Sequence, residues 1–159
     1  MGLIASFDYV KTSDVPFLGF WSMPKRRLFR SPLVEFDKRL AEHALKSLVF
    51  SQTDGVYVAL VFAWLETCTP VLKREADPVI ETLRRRLKGS YWLLQHDDRA
   101  IVEALQKAME PREWDAFLRQ LKEGADLGWS LDSYSDARLY LRDRIMEVTP
   151  MTALLVSVG

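Results

Sequence analysis

The longest uninterrupted apolar run in the chain spans residues 55–65, and the rest of the pattern predicts elements that cover it. Ten apolar residues follow Gly55 without a break, and many of them are β-branched or aromatic. Asp54 and Gly55 form a turn signal just before the run, which favours a strand buried on both faces at the centre of a sheet. A short buried helix is the alternative, because a run that is apolar at every position carries no period.

Shorter stretches mix apolar and polar residues and predict further extended segments. Residues 3–10 fit a half-buried strand that opens the domain. Residues 15–21 fit a short extended piece, although Pro16 and Gly19 weaken it. Residues 90–94 and the apolar, β-branched residues 151–158 predict two more strands, the last of them tied into the sheet at the chain end.

Helical spacing of apolar residues is clearest over residues 32–50. The stripe starts after Ser31, a preferred N-cap residue, and Pro32, which suits the first helical position. The same three- and four-residue spacing predicts helices over residues 78–88, 98–109, 111–123 and 134–148. Residues 125–135 are rich in Gly, Ser and Asp and read as a loop with aromatic content.

These elements predict a single globular α+β domain that covers residues 1–159. Its core is a small mixed β-sheet with the 55–65 strand buried at the centre, covered by four to five helices. A chain of 159 residues buries enough apolar surface to fold without metals or cross-links. The sequence shows neither a cleavable leader nor an apolar run long enough to cross a bilayer, so no membrane association is expected.

The net charge and the cysteine content limit the cellular compartment and the class of partner that we expect. The chain carries 22 basic and 22 acidic side chains, so no global charge attracts it to nucleic acid or to an anionic membrane. Its one cysteine, Cys68, excludes an intrachain disulfide, which is typical of a cytoplasmic protein. Glycine-rich phosphate loops and histidine–cysteine metal spacings are missing from the sequence, so we expect neither a cofactor nor a metal.

One set of residues fits a catalytic role. Cys68, His96 and the adjacent Asp97 and Asp98 offer a nucleophile, a base and an orienting carboxylate, which would make the protein a small hydrolase or transferase. None of them lies in a recognised local motif. The competing interpretation is a buried core cysteine, with one of the two aspartates capping the next helix.

Two basic clusters support a nucleic-acid alternative. Residues 25–30 and 84–88 each contribute four positive charges, and Tyr91 and Trp92 follow the second cluster. Arg26, Arg27, Arg85 and Arg86 would contact phosphates while the aromatic rings stack on bases. Short basic runs on an exposed helix are more often simply solvated, and the neutral total charge disfavours this function.

An acidic segment with aromatic residues lies between residues 124 and 137, where no basic residue occurs. Aromatic rings among carboxylates are good anchors for a basic protein surface, although both rings could instead turn inward to close the core. If they are exposed, the partner-binding residues are Asp126, Trp129, Asp132, Tyr134 and Asp136.

Two resemblances accompany these patterns. The beginning of the chain, residues 1–4, and its end, residues 153–159, resemble the ends of small bacterial YfbM-like proteins, a likeness over about a tenth of the chain that implies no site or activity. The acidic aromatic segment is similar in composition to the surfaces with which immunity proteins neutralise basic nuclease toxins. The sequence thus favours a non-enzymatic protein-binding protein, in its sharpest form a bacterial immunity or inhibitor protein that blocks a basic toxin.

Overall fold

A computed structural model describes residues 2–18, 32–68, 87, 90–106, 111–120, 128 and 130–159. Single turns of 3-10 helix at Thr12–Asp14 and His96–Asp98 lead into the α-helices that begin at Val15 and Arg99. The strands and α-helices within the described ranges are, in chain order, β1 (Ala5–Lys11), α1 (Val15–Leu18), α2 (Pro32–His43), β2 (Ala44–Phe50), α3 (Val56–Cys68), β3 (Ser90–Gln95), α4 (Arg99–Gln106), α5 (Pro111–Gln120), α6 (Leu131–Met146) and β4 (Thr152–Val158).

The four strands form one sheet in the order β2-β1-β4-β3. The α+β class is therefore confirmed. The prediction of a mixed sheet is wrong, because each of the three neighbouring pairs is antiparallel. β1 and β4 lie at the centre, where Phe7 is opposite Val156, and the strands predicted over 3–10, 90–94 and 151–158 are confirmed as β1, β3 and β4.

The predicted central strand at residues 55–65 is wrong, because this run forms α3. Asp54, interpreted from the sequence as part of a turn, caps the helix: its carboxylate accepts hydrogen bonds from the N–H of Val56 at 2.9 Å and of Leu3 at 3.0 Å. Gly55 is needed for close packing, since a Cβ there would lie 2.6 Å from the carbonyl oxygen of Leu3. The helix is apolar on most sides because it packs against α4, α6 and β4.

The helix predicted over residues 32–50 is correct only in its first part. α2 ends at His43, and the chain continues directly into β2, which pairs with β1 so that Leu48 lies opposite Phe7 and Phe50 opposite Ala5. Ala44, Leu45 and Leu48 fit helical spacing, whereas only Leu48 and Phe50 are two residues apart, as in a strand. Pairing with β1 decided between the two, because a helix here would leave that side of β1 without backbone partners.

Several smaller expectations were also resolved. Residues 15–18, predicted to be extended, form the helical turn α1 with Val15 and Leu18 buried, and Gly19 and the two residues after it lie outside the described residues. The predicted loop over 125–135 is shorter than expected, because α6 already begins at Leu131. The helix predicted over 78–88 lies outside the described residues apart from Leu87, and so do both basic clusters, including Arg26, Arg27, Arg85 and Arg86.

Within the described residues, different helices pack on the two faces of the sheet. The first face carries Phe7, Leu94 and Val156 and packs into one cluster with buried residues of α3, α4, α5 and α6. Aromatic rings fill this layer: Phe62 stacks on Trp92 at 4.2 Å, and Phe7 meets Tyr140 edge-on at 5.0 Å.

The second face carries Val10, Tyr91 and Leu155, which pack with α1, with Phe36 of α2 and with Leu87. A hollow lies over β1 and β2 on this side. Within the described ranges, no helix combines the length and the apolar character that a membrane span requires.

Candidate functional site

A pocket of about 370 Å³ opens on the second face, between α2 and the strands β2, β1 and β4. Leu33, Phe36, Leu40 and Val49 supply apolar walls. A volume of this size is within the range of small-ligand sites. The polar side chains that line it are Ser6, Asp8, Asp37, Ser47, Tyr91 and Ser157.

Strand alternation explains why this hollow exists. Every second residue of β1 faces it, and the cross-strand partners are small: Ser6 lies opposite Ser157 of β4, and Asp8 lies opposite Ser47 of β2. Serine side chains cannot fill the distance between the sheet and the helix above it. The pocket is therefore built by short polar residues at neighbouring positions of three strands.

Asp8 is the most unusual group in the pocket. It lies on a central strand and is only 4% exposed, and no donor in the described part of the chain reaches its Oδ2 atom. Burial raises the pKa of this carboxyl, and the nearby charge of Asp37 raises it further, whereas a hydrogen bond from Ser47 acts in the opposite direction. A buried carboxylate with an unused oxygen in an open cavity is a common mark of a functional site.

Asp37 extends the negative field across the pocket. It lies on the solvent-exposed side of α2, and its charge also contributes, after burial, to the raised pKa of Tyr91. Tyr91 packs edge-on against Phe36 with ring centroids 6.0 Å apart. The pocket thus joins two acidic groups and several hydroxyls to apolar walls, a combination that suits an organic cation with an apolar stem.

The described ranges contain no cluster of three or more histidine, cysteine, aspartate or glutamate side chains placed to hold a metal ion. Asp8 and Asp37 offer negative charge and hydrogen-bond acceptors, which an N–H donor can use.

Of the five residues predicted to form an acidic aromatic surface, two are exposed, one is buried and two lie outside the described residues. Asp132 and Asp136 are exposed on α6, as that prediction requires. Tyr134 is fully buried, so its ring cannot anchor a partner: Ser130 caps α6 by accepting from the N–H of Ser133, and the helix then turns Tyr134 into the core. Asp126 and Trp129 lie outside the described residues.

Two members of the predicted catalytic set lie in the same hollow. His96 and Asp98 both line a hollow of about 410 Å³, separate from the Asp8 pocket, together with Glu103. Asp98 is buried and accepts a hydrogen bond from the N–H of Gln95 at 2.6 Å, just before the 3-10 turn that leads into α4. Cys68 is the last residue of α3, and its side chain is not among those described. Catalysis by Cys68 and His96, and the cap of the next helix by Asp97 or Asp98, stay predictions.

Sequence reasoning missed Asp8 and Asp37. One signal was present, since aspartate is depleted in strand interiors and Asp8 lies in the middle of a segment predicted to be a strand. Asp37 gave no signal, because it resembles any other charged residue on the outer side of a helix. The pairing of the two depends on how α2 crosses the sheet.

Comparisons with known proteins add no further assignment. No family model, curated protein or solved structure matches this chain.

Proposed function

We propose that this protein is a non-enzymatic binding protein that holds a positively charged group of a basic protein partner. The observation that carries the proposal is the buried Asp8 carboxylate: its Oδ2 atom has no donor within the described residues, and Asp8 lines the pocket together with Asp37. An ammonium or guanidinium group in the pocket would supply the missing donor and the missing counter-charge.

The energetic reason is the cost of an unpaired buried carboxylate. Taking a charge out of water is unfavourable, and such groups persist mainly where function uses them. Two opposite unit charges about 4 Å apart gain about 4 kcal/mol at an effective dielectric constant of about 20, before desolvation is subtracted. A cation that enters the pocket therefore converts a destabilising group into a binding contact.

The lining of the pocket supports the binding of a cation. Its polar side chains are carboxylates and hydroxyls, whose oxygens accept hydrogen bonds from an ammonium or guanidinium group. The apolar walls would enclose the stem of a lysine or arginine side chain.

The finer form of the proposal is a cytoplasmic bacterial immunity or inhibitor protein that neutralises a basic toxin or nuclease domain. In this form Asp132 and Asp136 would attract the partner electrostatically and increase its association rate. α6 packs on the first face of the sheet and the pocket opens on the second, so the two acidic surfaces are separate and can be tested separately.

Titration with a lysine peptide tests the proposal. We expect hexalysine to bind the wild-type protein in isothermal titration calorimetry at physiological salt, and a hexapeptide of acetyl-lysine not to bind. Replacing Asp8 by its neutral isostere, Asp8→Asn, should weaken binding roughly ten- to a hundredfold, the value of one charge-assisted hydrogen bond.

Asp132→Asn is the matched control, since it removes one acidic charge from an exposed position of α6. It should change the affinity much less than Asp8→Asn does. Equal affinities of the wild type and Asp8→Asn would refute the pocket as the contact site, and a loss confined to Asp132→Asn would move the binding surface to α6.

A further inference from the structure

The free edge of β2 lies directly beside the pocket. In the strand order β2-β1-β4-β3, β2 and β3 are the two edges within the described residues. β3 is largely buried, whereas four of the seven residues of β2 are exposed, among them Leu45 and Val49, which are 56% and 57% exposed. A seven-residue edge strand with exposed aliphatic side chains readily accepts another strand, because its outer backbone groups have no partners in the sheet.

The register of β2 connects this edge to Asp8. Ser47 lies opposite Asp8, and cross-strand partners project from the same face of a sheet. A residue added beyond Ser47 would extend the same row, about two strand spacings or roughly 10 Å from β1. A lysine or arginine at that position can extend across the small Ser47 side chain toward Asp8, while its neighbour two residues away covers Val49.

We infer that the partner binds through an extended basic segment that pairs with β2 as a fifth strand and places a lysine or arginine side chain in the Asp8 pocket. This inference rests on the proposed function and specifies the form of the partner. Backbone hydrogen bonds would supply affinity, and the pocket would select one cationic side chain among the alternating residues of the segment.

A second copy of this chain is a poorer occupant of the same edge. On the pocket side β2 carries Ser47 and Val49, neither of which is positively charged. Its one lysine, Lys46, lies opposite Tyr9 on the first face and donates a hydrogen bond to Glu147 at 2.8 Å. Pairing of β2 with β2 would therefore cover Asp8 without giving it a counter-charge, which is unfavourable.

A heptapeptide of acetylated and amidated sequence Thr-Val-Thr-Lys-Thr-Val-Thr tests the inference. Its lysine and two valines share one face of a strand, so that the lysine can lie beside Ser47 while a valine covers Val49. Two further peptides carry backbone N-methyl groups at only the even or only the odd positions. Alternate N–H groups of a strand point to opposite edges, so one methylated peptide should bind like the parent and the other at least tenfold more weakly.

Amide hydrogen exchange supplies an independent readout. On addition of the parent peptide, the alternate β2 amides that point away from β1 should become protected, and the amides already bonded to β1 should change little. Contact through charge alone would not protect backbone amides. Equal binding of the two methylated peptides, unchanged β2 protection, or a stable dimer of the protein alone formed through β2 would each overturn the inference.

The two proposals fail in different ways. Replacing the lysine of the peptide by norleucine removes the charge and keeps the strand; if affinity is then unchanged, the pocket does not recognise a cation and the proposed function is wrong. If norleucine weakens binding but the two methylated peptides bind equally, the pocket recognises a cation without strand addition, and only the inference on β2 is wrong.

Discussion

Two carboxylates near the two faces of the sheet have opposite environments. Beside the first face, Glu147 accepts a hydrogen bond from Lys46 at 2.8 Å and lies 3.1 Å from Arg144, and the bond from Lys46 is the main reason that its pKa is lowered. On the second face, burial raises the pKa of Asp8, and its Oδ2 has no donor within the described residues. The chain neutralises the first acid with its own cations, whereas no donor in the described part of the chain reaches Oδ2 of the second.

The two faces of the sheet also differ in how completely side chains fill the space above them. β1 presents Ala5, Phe7 and Tyr9 to the first face, where helices and aromatic rings leave little space. To the second face it presents Ser6 and Asp8 below the pocket. Alternate residues of β1 therefore have different roles, because successive side chains of a strand point to opposite faces of the sheet. Those on the first face pack in the core, and those on the second face form the floor of the pocket.

The largest expected effect comes from the filled face. Phe7→Ala removes a fully buried ring that contacts Tyr140 and should destabilise the protein by about 3–5 kcal/mol, since the cavity it leaves cannot collapse completely. Urea denaturation measures the loss. The matched variant on the opposite face, Ser6→Ala, should cost less than about 1 kcal/mol; similar losses for both would contradict the difference between the faces.

A smaller effect of opposite sign is expected at Asp8. Because the folded protein raises this pKa, the folded state holds the proton to a higher pH than the unfolded chain, which titrates near about 3.9. Asp8→Asn should therefore stabilise the protein at neutral pH, by about 1 kcal/mol. The difference between variant and wild type should shrink as pH falls from 7 toward about 4.

Urea midpoints of the two proteins across this pH range test the prediction. A difference that grows on acidification, or a variant less stable than the wild type at pH 7, would mean that Asp8 stabilises the fold through a partner of its own.

The smallest effect is expected at Glu147. Glu147→Gln should lower stability by less than about 1 kcal/mol, because its salt bridge with Lys46 is largely exposed. Since the folded pKa is lowered, this contribution is present above the unfolded pKa of about 4.3 and is lost as pH falls through the folded value. The pH dependence is thus opposite to that of Asp8. Repeating the denaturation in 1 M salt should remove most of the difference.

The structure shows which sequence signals were sufficient. Periodic patterns with clear boundaries located β1, β3 and β4 and the helices that begin near Arg99 and Pro111. Two patterns misled: the run after Gly55 is apolar at every position and so carries no period, and Ala44, Leu45 and Leu48 continue the helical spacing of residues 32–50 although they lie in β2. In each case a contact distant in sequence, α3 against α6 or β2 against β1, decided the outcome.

The sequence by itself determined the α+β class and most of the elements, because hydrophobic periodicity is a local property that each segment carries alone. The tertiary structure decided the candidate site. Ser6, Asp8, Asp37, Ser47 and Ser157 come from three strands and one helix, and no spacing along the chain relates them. Tyr134 shows the same limit. Its position between Asp132 and Asp136 suggested an exposed binding surface, but Tyr134 lies on the inner face of α6 and is fully buried.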